Sequence, residues 1–152
     1  MTYEVIHSGE PLTKAKGVKV YLGGSCKRSG KDWRMDFYKR FENYNMTFIN
    51  PRRDDFPDPD IDPGEHSRQV QWEREGLALC DVAIFWLGGG LSNQASRVEI
   101  GFVIGKNKEV YIGAEDGFLG MEHLTAFSGL LLSQSLDGVM ARLQSYYVSQ
   151  QS

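Results

Sequence analysis

The feature that most constrains the fold is a short apolar run that leads into a glycine-rich turn. Residues 81–86 (DVAIFW) form this run, and Gly88, Gly89 and Gly90 follow it. An apolar run of about five residues with a helical pattern on each side is typical of a central parallel strand, which is buried on both faces. Because ligands of open α/β sheets bind outside the carboxyl ends of the strands, we expect the loop after this run to border a ligand crevice.

One carboxylate follows that loop closely. The loop is polar, and the next predicted helix carries Glu99 near its start and runs to about Gly105. A side chain one loop and one helical turn beyond a strand end points at the crevice, so Glu99 is the first candidate for a functional residue. The simpler interpretation is a favourable interaction of Glu99 with the helix dipole. The spacing alone leaves both interpretations open.

Strand and helix patterns alternate along the rest of the chain. Further strands are predicted at residues 18–22, 46–49, 110–112 and 130–132, and helices at 32–44, 65–79 and 133–148. This alternation predicts an α/β three-layer sandwich with a five-stranded parallel sheet in the flavodoxin-like order 2-1-3-4-5, counted from residue 18. Residues 18–152 are expected to form a single domain, and residues 1–17 either an edge strand or a loosely docked arm.

Helical spacing also predicts which side chains face the core. In the helix at 65–79, Val70, Trp72 and Leu77 are assigned to the buried side. In the helix that carries Glu99, Val98 and Val103 are assigned inward, together with Phe102.

Composition excludes several classes of function. The net charge of −3 over 152 residues argues against binding of polymeric nucleic acid, which normally requires a basic face. No signal peptide and no membrane-spanning run is recognised, which favours a cytoplasmic protein without membrane contact. Cys26 and Cys80 are too few for a disulfide framework, and Cys26 is either a free thiol or a catalytic one. The histidines are isolated, so neither a metal site nor a cofactor is predicted.

Two further regions could contact an anion. Gly23, Gly24 and Ser25 end the strand at 18–22, and a cationic loop follows at 26–31 (CKRSGK). Backbone N–H groups in such a turn and at the next helix N-terminus favour anions, although the turn could simply require small residues. Arg52 and Arg53 follow the strand at 46–49, where they either bind a ligand anion or pair with neighbouring aspartates.

Glu73 could form an acid pair with Glu99. It lies on the helix that leads into the strand at 81–86. The alternative interpretation is that Glu73 belongs to a solvated helix face. Two close acids with split pKa values suit cleavage of a glycosidic bond. Trp86, Trp72 or Phe56 could stack on a base, or belong to the core.

Four segments together resemble the nucleoside 2-deoxyribosyltransferase-like superfamily, and most closely its smaller, poorly characterised branch. They are residues 20–25 (VYLGGS), 50–53 (NPRR), 71–82 (QWEREGLALCDV) and 96–101 (SRVEIG). The resemblance implies a flavodoxin-like fold and cleavage of the N-glycosidic bond of a (deoxy)nucleoside or its 5′-monophosphate. The sugar is then transferred to another base or to water. It also implies a small-molecule nucleoside or nucleotide as partner and a homo-oligomer.

The resemblance assigns roles residue by residue. Glu99 falls on the nucleophile that forms a glycosyl-enzyme intermediate, Glu73 on an acid near the base, and Tyr21 on an aromatic that orients the nucleophile. Asn93 falls where transferases often carry an aspartate that contacts base or sugar. Arg97 replaces a small residue, and could lower the pKa of the nucleophile or bind an anion.

The cationic loop resembles the phosphate-contacting loop of the monophosphate hydrolases in this family. Lys27, Arg28 and Lys31, together with Arg52 and Arg53, would hold a 5′-phosphate. Two alternatives stay open: an NAD glycohydrolase-like enzyme, and a non-catalytic module that binds or senses nucleotides.

Overall fold

The computed structural model of this chain describes residues 2–25, 31–53, 55 and 57–151. The strands are β1 (Glu4–His7), β2 (Val18–Gly24), β3 (Met46–Asn50), β4 (Val82–Leu87) and β5 (Glu109–Ala114). The α-helices are α1 (Arg34–Arg40), α2 (Pro63–Leu79), α3 (Gln94–Gly105), α4 (Met121–Ser128) and α5 (Leu136–Gln150), and a 3-10 turn spans Leu12–Lys14. No helix within the described residues is both long and apolar enough to cross a membrane.

The five strands form one sheet in the order β1-β3-β2-β4-β5, and all their pairings are parallel. The predicted α/β class, with helices on both faces of a parallel sheet, is confirmed. The chain reverses direction across the sheet between β2 and β4, so the crevice expected in such folds lies at the carboxyl ends of these two strands.

The sheet differs from the prediction at both of its edges. The N-terminal segment supplies the fifth strand, because β1 pairs along its whole length with β3. The strand predicted at 130–132 is wrong. Leu131 is exposed, Leu130 and Leu132 pack against the core, and the sheet pairing recorded next to this run is an isolated bridge between Gly113 and Ser133. The leucine run is therefore apolar because of its packing, not because it belongs to the sheet.

Buried side chains form one cluster on each face of the sheet. One cluster contains Tyr21 of β2 and the inward residues of α2 and α3. The other contains Val20 and Leu22 of β2 with residues of α1 and α5. Because successive side chains of a strand point to opposite faces, Tyr21 is the central residue of β2 that faces α2 and α3.

Two inward assignments are wrong. Val70 and Val98 are exposed, whereas Trp72, Leu77 and Val103 are buried as predicted. Helix α2 instead turns Gln69 inward, with only 2% of its surface exposed. A polar side chain thus occupies a core-facing position of the helix.

Candidate active site

The centre of the candidate site is a hydrogen bond between β2 and α3. The hydroxyl group of Tyr21 donates to Oε2 of Glu99 at 3.2 Å. Tyr21 is completely buried, while Glu99 is partly exposed at the start of the second turn of α3. A rigid aromatic donor therefore holds a carboxylate that solvent, and hence a ligand, can still reach.

The surroundings of Glu99 favour its neutral form. Burial, followed by the negative charge of Glu73, raises the pKa of Glu99 to about 7, against opposing effects of the Tyr21 hydrogen bond and the charge of Arg34. Burial and the Glu99 charge together raise the pKa of the Tyr21 hydroxyl well above its usual value, so Tyr21 stays a proton donor. Carboxylates that titrate near neutral pH are typical of catalytic acids, bases and nucleophiles.

Glu73 is the second acid of the site. It lies on α2 and is partly exposed, and it accepts a hydrogen bond of 2.9 Å from Nε2 of Gln69. Burial raises its pKa, which the Gln69 bond and the charge of His66 partly oppose. The charge of Glu73 acts on both Glu99 and Tyr21, so the structure brings together the three residues that were assigned catalytic roles.

A buried arginine, which the sequence did not single out, completes the electrostatics. Arg34 opens α1 and has no exposed surface. Its Nε donates to the carbonyl oxygen of Leu22 at 3.0 Å, and one terminal nitrogen lies 3.1 Å from Asp32. The guanidinium also lies 4.4 Å from the ring centre of Trp33. Arg34 is thus a fixed positive charge at the carboxyl end of β2, on the side of the sheet opposite Tyr21.

The small residues after β2 and β4 allow these two strand ends to approach each other closely. Gly24 has a φ of +114°, and a Cβ there would lie 2.2 Å from the carbonyl oxygen of Trp86. A Cβ on Gly88 would lie 2.7 Å from Oγ of Ser25. Ser25 is 7% exposed, and its hydroxyl has no hydrogen-bond partner within the described part of the chain. Steric demand therefore explains Gly24 and Gly88, while the Ser25 hydroxyl is the polar group of this turn that a ligand could satisfy.

Asn93 and Arg97 hold the loop that follows β4 and the loop that precedes α4. Asn93 has a left-handed backbone, and its side-chain amide donates to the carbonyl oxygens of Gly88 and Leu91, each at 3.0 Å. Arg97 donates to the carbonyl oxygens of Ser92 and Leu119. The positive charge of Arg34 acts to lower the pKa of Glu99.

The two arginines after β3 have different environments. Arg53 contacts Asp55 through two hydrogen bonds of 3.2 Å, and Glu65 at 2.9 Å. Pairing with local acids is therefore the observed state of Arg53. The Nε atom of Arg52 lies 3.9 Å from Asp32, and its side chain is 28% exposed.

The other predicted candidates belong to the core or fall outside the described residues. The ring of Trp86 packs with the core cluster of α1 and α5, on the opposite face of the sheet from Tyr21, and Trp72 belongs to the core of the α2 and α3 face. The predictions for Cys26, Lys27, Arg28 and Phe56 fall on residues outside those that the structure describes.

Sequence reasoning missed Arg34 and Gln69. Each occupies a buried position on the inward side of its helix beside an apolar residue: Arg34 precedes Phe37 by three residues, and Gln69 precedes Trp72 by three. A polar residue within an inward stripe is a signal that the sequence contains, because burial of such a group requires specific partners.

Comparison with known proteins identifies relatives of this chain. A family model described as "Nucleoside 2-deoxyribosyltransferase like" matches residues 17–118. The chain is also similar to a serine–tRNA ligase of Rhodococcus jostii (strain RHA1), with 38% identity over 102 residues. That similarity covers 60% of this chain and 22% of the ligase, so the chain spans about a fifth of the length of this curated relative. Tyr21, Glu73 and Glu99 lie inside the range of the family match, and β1 lies outside it.

Proposed function

This chain belongs to the nucleoside 2-deoxyribosyltransferase-like family, and on that basis we propose that it cleaves the N-glycosidic bond of a (deoxy)nucleoside or its 5′-monophosphate. The observation that carries the proposal is the Tyr21–Glu99 hydrogen bond at the mouth of a parallel sheet. It supports a nucleophile that is held in place and titrates near neutral pH. A carboxylate of this kind suits attack on an anomeric carbon.

The reaction has two steps in which Glu99 forms and then loses a bond to the sugar. In the first, its ionised carboxylate attacks C1′, and the electrons of the C1′–N bond leave with the base. In the second, another base or a water molecule attacks C1′ and releases the carboxylate. Tyr21 orients Glu99 through its hydroxyl throughout.

Glu73 serves the leaving base. When it carries a proton, Glu73 can donate that proton to the ring nitrogen as the base departs, and burial shifts its pKa upward, towards that form. In the second step the resulting carboxylate can take a proton from the incoming base or water. The two acids thus have separate roles: Glu99 bonds to the sugar, and Glu73 exchanges a proton with the base or water.

We also propose that the substrate carries a 5′-phosphate. Arg52, partly exposed beside Asp32, and the buried Ser25 hydroxyl support an anionic group near the carboxyl ends of β2 and β3. Arg53 is held by Asp55 and Glu65, so we assign it to the structure of this loop. The homo-oligomer and the cationic loop at 26–31 stay predictions from the resemblance.

A non-catalytic nucleotide-binding module is the second candidate, and Asn93 is the observation that favours it. Its side-chain amide is engaged by two carbonyl oxygens of its own loop, where the resemblance places a transferase aspartate. Tight calorimetric binding of a nucleotide without base release over long incubation would favour this candidate.

The test of the catalytic proposal is base release from a panel of nucleosides, monophosphates and NAD, followed by chromatography. We expect the wild-type protein to release base and Glu99→Gln to lose at least about a hundredfold in rate, because an amide is not a nucleophile here. The control is Glu75→Gln, on the exposed face of α2. Wild-type rates in Glu99→Gln would overturn the mechanism, and release from NAD alone would identify the glycohydrolase alternative.

A further inference from the structure

Gln69 is an unusual residue for its position in α2. It is almost fully buried, whereas its neighbour Val70 is 46% exposed. Burying an amide without hydrogen-bond partners is unfavourable by roughly a few kcal/mol, so the buried side chain of Gln69 requires such partners. The described structure gives this side chain four of them.

These four bonds fix the orientation of the amide. Its oxygen accepts from the hydroxyl group of Ser8 and, at 3.4 Å, from a terminal nitrogen of Arg53. Its nitrogen donates to the carbonyl oxygen of Pro51 at 3.3 Å and to Oε2 of Glu73 at 2.9 Å. Arg53 can only donate to the oxygen, and Pro51 and Glu73 accept from the nitrogen, so a flipped amide would lose these three bonds.

The N-terminal segment contributes directly to this arrangement. Ser8 follows β1, and a second contact joins the same segment to α2, since Nε1 of Trp72 donates to the carbonyl oxygen of Glu10 at 2.9 Å. These two contacts attach the segment to α2 through Gln69 and Trp72, next to Glu73. The family match begins at residue 17, so this attachment comes from outside the matched region.

We propose that Gln69 is a positioning residue for Glu73, and that the N-terminal segment, through Ser8, is the part of the chain that sets Gln69. The inference rests on the proposed function for its catalytic meaning, because Glu73 is the acid assigned to the leaving base. Its structural content, that Ser8 and Gln69 determine the state of the Glu73 carboxylate, does not depend on any activity. Residues 2–16 are then part of the catalytic apparatus and not only an edge of the sheet.

The charged groups around Glu73 define the effect of losing Gln69. His66 lies on the same helix, Glu99 and Tyr21 face Glu73 from α3 and β2, and Arg53 reaches Gln69 from the loop after β3. The Gln69 donor stabilises the ionised form of Glu73, so its removal raises the pKa of Glu73. A more protonated Glu73 repels Glu99 less, so the pKa of Glu99 falls in response.

The experiment is a carbon-13 titration of the glutamate carboxyl groups in the chain of 152 residues, without substrate. The variant is Gln69→Met, which keeps the size of the side chain and removes its polar atoms. Gln71→Met is the matched control, because Gln71 donates to Glu75 with the same four-residue spacing, at 3.2 Å, on the exposed face of the same helix. If Gln69→Met unfolds, Ser8→Ala and Gln69→Glu test the same positioning. Ser8 is partly exposed, so Ser8→Ala should fold. The carboxylate introduced by Gln69→Glu keeps a hydrogen-bond acceptor for Ser8.

We expect the pKa of Glu73 to rise in Gln69→Met and, by less, in Ser8→Ala, with the pKa of Glu99 falling in both. Gln71→Met should leave both values unchanged. If the wild type releases base, Gln69→Met should lower kcat roughly tenfold or more, because a displaced acid serves the leaving base poorly. The proposed positioning of Glu73 by Ser8 and Gln69 is overturned if the pKa of Glu73 stays at its wild-type value in folded Gln69→Met. If that variant does not fold, the same result in folded Gln69→Glu and Ser8→Ala overturns it, even if the enzyme is active. A Glu73 pKa that moves in a protein that never releases base leaves this positioning standing and removes the proposed function.

Discussion

Tyr21 of β2 donates a hydrogen bond of 3.2 Å to Glu99 of α3, and this contact joins the buried sheet to a carboxylate whose pKa lies at about 7. The bond acts on Glu99 in two ways. It fixes the direction of the carboxylate, and it opposes the effects of burial and of Glu73 by stabilising the ionised form.

Tyr21→Phe should slow base release and move its pH dependence. Without the hydroxyl donor the pKa of Glu99 rises, so less of the nucleophile is ionised at a given pH. We expect a loss of roughly tenfold at pH 6.5, about the worth of one hydrogen bond to a charged group, and a smaller loss at pH 8.5. Tyr38→Phe is the control, since that hydroxyl accepts from Asn50 within the α1 and α5 core cluster. An equal loss at both pH values would contradict the titration argument.

The wild-type pH profile should rise with Glu99 ionisation. We expect kcat/KM to increase with pH through a step near 7, because the carboxylate attacks only when deprotonated. Glu73→Gln removes a neighbouring negative charge that raises the pKa of Glu99, so its step should lie at lower pH and its maximal rate should be lower. The measurement is the rate profile of both proteins between pH 5 and 9. A step that stays in place in Glu73→Gln would show that the two acids are not coupled.

Glu99→Gln should stabilise the fold at alkaline pH. The pKa of Glu99 is about 7 in the folded protein and ordinarily 4.5, so the folded state binds the proton more tightly. The stability from this group is complete below pH 4.5 and is lost as pH rises through 7. At pH 8 the variant should therefore exceed the wild type by about 1–3 kcal/mol in free energy of unfolding, and near pH 4.5 the two should be similar.

Urea unfolding at the two pH values checks this expectation. Glu75→Gln is the matched control, because that carboxylate is exposed on α2. Equal stability of Glu99→Gln and the wild type at pH 8 would contradict a raised pKa of Glu99 in the folded protein.

Arg52→Ala should discriminate between a nucleoside and its 5′-monophosphate. If Arg52 contacts the phosphate, the variant raises KM for the monophosphate roughly tenfold and leaves the nucleoside unaffected. Arg53→Ala is the comparison, since Asp55 and Glu65 already occupy Arg53, and it should act through stability. Equal turnover of nucleoside and monophosphate by the wild type would remove the basis for a phosphate site.

The sequence predicted the parts of the structure that depend on simple periodicity. The central strand at 81–86 and the helix after it are strong patterns, so the position of Glu99 beyond the end of β4 followed from them. The run at 130–132 has the same apolar character, but local composition cannot distinguish a strand from a packed loop. The fifth strand is formed by residues 4–7, at the opposite edge of the sheet.

Periodicity alone did not assign the buried polar groups, although their spacing from inward apolar residues is visible in the sequence. Val70 looks more apolar than Gln69, yet α2 is rotated so that Gln69 faces inward. What decides between them is a set of partners from separate elements, such as Ser8 and Pro51, which no local pattern reveals. Arg34 was missed for the same reason, since its partner Leu22 lies twelve residues earlier on β2.

Intact mass spectrometry with a 2′-deoxy-2′-fluoro nucleoside tests the central claim most directly. The fluorine slows formation and hydrolysis of the sugar ester by destabilising the oxocarbenium-like transition states, so a covalent intermediate accumulates. We predict that the protein gains the mass of one fluorinated sugar, that peptide mapping locates it on Glu99, and that Glu99→Gln gains none. A sugar on any other residue, or base release by the wild type with no sugar bound to it at any time, would contradict the account.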